Sequence, residues 1–185
     1  HEFMITRGIV PAFHVDSDPR PHKAKHIRRP QAATKYRLAS CVHPDLIDRV
    51  DGYDLALWHA LSGDENDDRL EELDPDAWGV AGGSNVGLRA IVLMYMMGYR
   101  SFDIHGMDCS FRDDGRTQWA GAHAGRTKAT LPFLYGGFHT SALMIDYANE
   151  FFQTRARMPD ATFTLRGHGL LEAMVARQDL KENAA

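Results

Sequence analysis

An α/β protein with a mainly parallel sheet is what the sequence predicts, and three observations carry that prediction. Short apolar runs of strand length alternate with segments of helical period along the chain. One stretch, Gly79 to Phe111, reads in order as strand, Gly-rich turn, helix and strand, which implies a parallel pair with a right-handed crossover. The length of 185 residues, with 44% hydrophobic and 25% charged content, fits one domain with a core of its own. The expected architecture is a Rossmann-like three-layer sandwich over residues 1–180, followed by a frayed tail at 181–185.

Each element has a local reason. His1–Gly8 reads as the end of an amphipathic helix stopped by Gly8, with nothing before it to cap the helix. Pro11–Val15 is an apolar run suited to a buried strand, and the polar turn Asp16–Pro21 follows it. Tyr36–Val42 is a second strand, His43-Pro44 opens a helix through Val50, and Asp54–His59 is a third strand. Ser62–Asp76 is acidic and reads as a surface loop with a short helix over Asp68–Leu73. Gly79–Ala81 meets the turn Gly82–Asn85, a helix then runs to Met97 and stops at Gly98, and Ser101–His105 is a strand. Phe111–Tyr135 has no sustained period, and a loop of that length is commonly a lid or a disordered segment. Ser141–Arg157 is helical, Ala161–Leu165 a strand and Gly169–Arg177 a final helix.

Charge and cysteine usage exclude some classes. A net charge of -4 and a pI near 6.2 argue against a nucleic-acid polymer as partner, since phosphate contacts need a basic surface. The local exception is Arg20 to Arg37, whose arginines and lysines could attract phosphate or form a solvated basic face. Cys41 and Cys109 show no metal-ligand spacing, and without a secretory signal the expected setting is the reduced cytoplasm. The longest apolar run, Ala90–Met97, is far short of the roughly 20 residues that span a bilayer, so no membrane partner is expected.

Four groups of residues could carry chemistry. The turn Gly82-Gly83-Ser84-Asn85 opens a helix, where unpaired N–H groups and the positive end of the dipole favour a phosphate. Ser84 or Asn85 can cap that helix or donate to a ligand, and a capped helix packed on a sheet uses the same letters. On the phosphate reading, Gly83→Val abolishes nucleotide binding and leaves the fold nearly intact. Asp108 lies just past a strand's carboxyl end, where open α/β sheets place ligands; it could accept from a ribose or sugar hydroxyl, hold a metal, or cap a turn. Asp16 and Asp18 form a carboxylate pair that suits a divalent ion, or simply an Asp- and Pro-rich turn. His139 and His123 sit in glycine-flanked loops, positions suited to a general base or phosphate donor; His43, before Pro44, and His59 are weaker candidates, His43 as a substrate contact.

The stretch Gly83-Ser-Asn-Val-Gly-Leu-Arg-Ala through Phe102-Asp-Ile-His-Gly-Met-Asp108 resembles the central motif of MptE-like proteins. That family includes archaeal 6-hydroxymethylpterin diphosphokinases and the central domain of motility-associated flagellin glycosyltransferases, and a similar stretch occurs in Campylobacter-type bacterial sialyltransferases. Arg7-Gly-Ile-Val-Pro through Asp16-Ser-Asp-Pro19 is similar to the family's Gly-Ile-x-Pro segment, and Phe138-His-Thr-Ser141 resembles the sialyltransferase segment whose catalytic histidine would fall on His139. Family members begin with a strand and a Gly-x-Gly-Pro-Ser loop, which lie before the start of this chain; the resemblance therefore implies a domain lacking its first strand.

The resemblance implies a transferase using a nucleotide-activated donor, foremost a sialyltransferase-like glycosyltransferase. In that reading Gly82, Gly83, Ser84 and Asn85 hold phosphate, Asp108 orients a hydroxyl, and His139 or His123 assists proton transfer. The alternatives are an ATP-dependent 6-hydroxymethylpterin diphosphokinase, with Mg2+ bridging phosphates through Asp16 and Asp18, and a nucleotide-binding domain without catalysis. No metal is needed on the sialyltransferase-like route. A nucleotide or nucleotide sugar is the expected partner, and a homo-oligomer is compatible with each reading.

Overall fold

The computed structural model describes residues 1–73, 75–111 and 133–182. It is a mixed α/β protein with a Rossmann-like, mainly parallel arrangement of strands. One domain is expected from length; the contacts divide the chain into two compact units, His1–Leu93 and Met94–Ala185.

The first unit is built on a four-stranded, all-parallel sheet in the order β1 (Phe13–Asp16), β2 (Lys35–Ala39), β3 (Leu55–Ala60), β4 (Gly79–Val80). Tyr36 and Leu38 alternate along β2 on one face and are fully buried, as the two-residue period of a strand requires. Trp58 of β3 is buried too, and its indole N–H donates to the Arg37 carbonyl at 3.0 Å. Helix α1 (Glu2–Ile5) ends as expected: Gly8, at φ +73°, lets Ile9 N–H reach the Met4 carbonyl and Gly8 N–H reach that of Ile5. A 3-10 segment, Pro21–His26, links β1 to β2, α2 (Pro44–Asp48) links β2 to β3, and α3 (Glu65–Leu73) links β3 to β4.

Helix α4 (Val86–Met96) carries the boundary between the units. Its start buries Leu88, Ile91 and Leu93. Its end, in the second unit, closes on Gly98 at φ +97°, with Tyr99 N–H bonded to the Met94 carbonyl and Gly98 N–H to that of Tyr95.

In the second unit β5 (Ser101–His105) pairs in parallel with β8 (Thr162–Arg166). This corrects the expected β4–β5 pair. With only two residues, β4 pairs with β3, and the chain then leaves the sheet through Gly82 and Gly83, both at positive φ. Phe102 stacks on its register partner Phe163 at 5.1 Å between centroids, and Phe151 of α5 (Ala142–Ala156) meets Phe163 edge-on at 5.8 Å. Ser141 caps α5 by accepting from Met144 N–H. An antiparallel hairpin, β6 (Phe133–Tyr135) and β7 (Phe138–Thr140), stands in what the sequence pattern leaves as loop; Gly136 and Gly137, both at positive φ, make its two-residue turn. Helix α6 (Leu170–Glu182) runs five residues beyond its expected end at Arg177, so Lys181 and Glu182 are helical rather than frayed. No described helix is long and apolar enough to cross a membrane.

Candidate functional site

At the head of α4, Asn85 is the cap: its Oδ1 accepts from Leu88 N–H at 3.1 Å, and its carbonyl accepts from Arg89 N–H. Helix geometry leaves the N–H groups of Val86 and Gly87 without an intrahelical acceptor. Arg89 donates to the Val80 carbonyl at 2.9 Å and the Leu61 carbonyl at 3.1 Å, which fixes a guanidinium at the carboxyl edge of β3 and β4. Gly83 serves the fold directly. At φ +76°, a Cβ there would press on Leu88 Cβ and lie 3.0 Å from its Cδ1, and Leu88 is fully buried. The expectation that Gly83→Val spares the fold is therefore corrected: this glycine lets the turn close on its own helix.

The acidic turn after β1 is committed to protein contacts. Asp16 Oδ1 accepts from Asp18 N–H at 2.9 Å, an Asx turn. Asp18 takes both Arg20 and Lys23 as ion-pair partners, which hold its carboxyl far below the usual range, Arg20 first. This pairing removes Asp18 from the bare carboxylate pair expected for Mg2+, and among the described residues no group of three His, Cys, Asp or Glu comes together for a metal. The basic run is likewise partly taken up by ion pairs, with Arg29 on Glu2 and Arg37 on Asp54. His43 is the cap of α2, its Nδ1 accepting from Asp45 N–H, rather than a group set aside for substrate. His59 Nδ1 lies 2.9 Å from Ser40 Oγ. His14 is largely covered, its Nε2 has no hydrogen-bond partner among the described residues, and burial pushes it down to about 4, so it stays neutral.

A cavity of about 290 Å³ opens in the first unit between Leu61, Asp67, Asp68, Leu70, Pro75, Ala77 and Gly79. None of the residues expected from sequence lines it, and its Asp67 carboxylate is occupied by the amides of Ser62 and Gly63.

The second unit gathers more of the expected chemistry. Because β5 and β8 are parallel neighbours, their carboxyl ends release two loops side by side, Gly106-Met-Asp108 and Gly167-His-Gly169. Asp108 fills the notch that those last two glycines leave. A Cβ at Gly167 would sit 2.5 Å from Asp108 Oδ1, and one at Gly169 would collide with the Asp108 carbonyl and lie 2.6 Å from its Cα. Leu171 N–H, in the first turn of α6, donates to that carbonyl at 3.2 Å. One residue on, Cys109 is buried in the left-handed region at φ +52°, a conformation that costs a non-glycine residue about 1–2 kcal/mol. Burial, then the charge of Asp108, push its thiol up to about 12, so it is no nucleophile. Two further bonds tie this segment to β7: Thr140 Oγ1 donates to the Cys109 carbonyl at 2.8 Å, and Phe111 N–H donates to the His139 carbonyl at 2.6 Å. Ser110, between them, is buried, and its hydroxyl has no hydrogen-bond partner among the described residues.

The structure thus joins the segments of Asp108 and His139, two of the residues singled out from sequence. His123 lies outside the described residues. Sequence reasoning missed Thr140, Ser110, His168 and Glu172. For His168 the signal was present, since Gly167-His-Gly169 after a strand and before a helix has the same layout that drew attention to Asp108.

Burial raises the Asp108 carboxyl above its ordinary value, the Glu172 charge raises it further, and His168 offsets part of this. The stability that the protonated form contributes is complete below the unfolded value of about 3.9 and is lost as pH rises through the higher folded value. Asp108→Asn, which cannot ionise, is therefore expected to melt above the wild type at pH 7, with the difference gone at pH 3.5. An equal or lower melting temperature at pH 7 would show that the ionised carboxylate is not strained in the fold. Comparison of the chain with protein-family models, with curated proteins and with solved structures returned no match.

Proposed function

We propose that the chain is a transferase using a nucleotide-activated donor, with a glycosyl group as cargo. The observation that carries this reading is the tie between the Asp108 and His139 segments at the carboxyl edge of the β5–β8 pair. A partly buried carboxyl can orient a hydroxyl, and a histidine on the neighbouring strand β7 can take its proton. The hydroxyl oxygen would attack the anomeric carbon as the bond from that carbon to the phosphate oxygen breaks, and the phosphate would leave with the electron pair. Within the first unit, the head of α4 with the nearby Arg89 guanidinium offers the kind of positive field that favours an anion. The ion pairs of Asp18 favour this metal-free route over Mg2+-dependent diphosphate transfer.

Calorimetric titration of CMP, UDP and ATP, each with and without Mg2+, tests the reading. CMP or UDP is expected to bind without metal, and a nucleotide at a hundredfold its Kd stabilises the native state by about 2.7 kcal/mol. His139→Ala should keep that affinity and lose transfer. Mg2+-dependent binding of ATP alone would point to the diphosphokinase, and no binding of any nucleotide would end the transferase proposal.

A further inference from the structure

The segment Asp108–Phe111 has to satisfy two anchors that pull it apart. Before the bend, the Asp108 backbone is held against the head of α6 by Leu171 N–H and fills the notch between Gly167 and Gly169. After the bend, Phe111 N–H is bonded to the His139 carbonyl of β7. Only two residues separate these anchors, so the chain turns sharply, and it does so by placing Cys109 at φ +52°. A cysteine does not hold that conformation unaided, because its Cβ crowds the following carbonyl. Such a conformation persists where surrounding contacts over-determine it. The contact at the bend itself is the Thr140 hydroxyl, on a fully buried residue, donating to the Cys109 carbonyl at 2.8 Å.

We propose that Thr140 is a positioning residue: by holding the Cys109 carbonyl it keeps the bend in the left-handed region and so seats Asp108 in the Gly167–Gly169 notch. As a site device this rests on the transferase reading, but the geometry stands without it. Thr140 follows His139 directly, so one short strand fixes the register of the histidine and, through its neighbour's hydroxyl, the seat of the carboxyl. Burial first and then the Glu172 charge raise the carboxyl of a seated Asp108, and His168 offsets part of this; the Cys109 thiol within the bend is itself uncharged where a carboxyl titrates.

The test reads the side-chain titration of Asp108 by carbon NMR on the full chain, with no nucleotide present. Thr140→Ser keeps the donor and is expected to titrate like the wild type. Thr140→Val keeps the shape and loses the donor, and its Asp108 midpoint is expected to fall toward the ordinary aspartate value. Thr154→Val, at another buried threonine of the same unit, is the control for lost stability alone and should leave the midpoint in place. Glycine enters the left-handed region without a steric penalty, so the double variant Cys109→Gly, Thr140→Val should return the midpoint to that of the wild type. The double variant also decides the matter if Thr140→Val alone does not fold. An unmoved midpoint in Thr140→Val, or a double variant whose midpoint stays low, overturns the proposal. Neither result touches nucleotide binding, so a failure here is separate from a failure of the transferase reading.

Discussion

Gly83→Val is expected to lower the melting temperature by roughly 10 °C, because it loads two costs onto one turn. The first is conformational: φ is +76°, where a Cβ costs about 1–2 kcal/mol. The second is steric. The new side chain meets Leu88, which is fully buried at the start of α4 and has no open side to move into. Overpacking of this kind costs about 1–3 kcal/mol, and the sum is a large part of the roughly 5–15 kcal/mol that holds a native protein together. Gly82→Ala is the matched comparison, since φ there is +90° but the added Cβ meets only Val92 at an ordinary 3.4 Å. Thermal melts followed by circular dichroism separate the two. A Gly83→Val protein that melts with Gly82→Ala would refute the packing argument. Loss of nucleotide binding in Gly83→Val would then have to be judged against its folded fraction.

The second large effect is expected at Gly169. Its φ is not positive, so the reason for glycine there is proximity alone: an added Cβ runs into the Asp108 carbonyl and lies 2.6 Å from Asp108 Cα and Cβ. These are backbone and near-backbone atoms on a segment pinned by Leu171 N–H and the Thr140 hydroxyl, so they cannot swing aside as the tip of a long side chain would. Gly169→Ala should cost about 2–4 kcal/mol, from overpacking plus the lost Leu171–Asp108 bond. It should also lift Asp108 from its notch, so that its carboxyl ionises nearer the ordinary value. Gly106→Ala provides the scale, because φ there is +74° but no atom of the described residues stands within 4 Å of the added carbon. A Gly169→Ala protein no less stable than Gly106→Ala would show that the notch has room for a side chain.

Both predictions concern residues whose type was legible and whose purpose was not. The bounds of β5 coincide with the expected Ser101–His105, and Gly8 and Gly98 end their helices as expected, because alternation and a left-handed glycine are local properties. Gly83 was also noticed, but for approach to a phosphate, whereas its close neighbour is Leu88, five residues on in its own helix. The Gly136-Gly137 hairpin carries a known turn signal, Gly-Gly between short apolar runs, but its strands are only three residues long and show no sustained alternation. Asp18 and His43 looked available on paper because nothing in their immediate pattern shows which neighbour a carboxylate or imidazole will take.

By itself the sequence determined the alternation of strands and helices, the parallel α/β class, and the placing of Asp108 and the Gly82–Asn85 turn at element ends, whereas His139, expected in a loop, lies in the middle of β7. These follow from rules that act within a few residues: side-chain period, capping and the backbone freedom of glycine. Tertiary structure alone decided that β5 takes β8 as its neighbour, that Gly167 and Gly169 make room for Asp108, and that Thr140 reaches back to Cys109 across 31 positions. Such contacts depend on which surfaces exclude water together once the chain has collapsed, and short-range pattern carries no record of that choice.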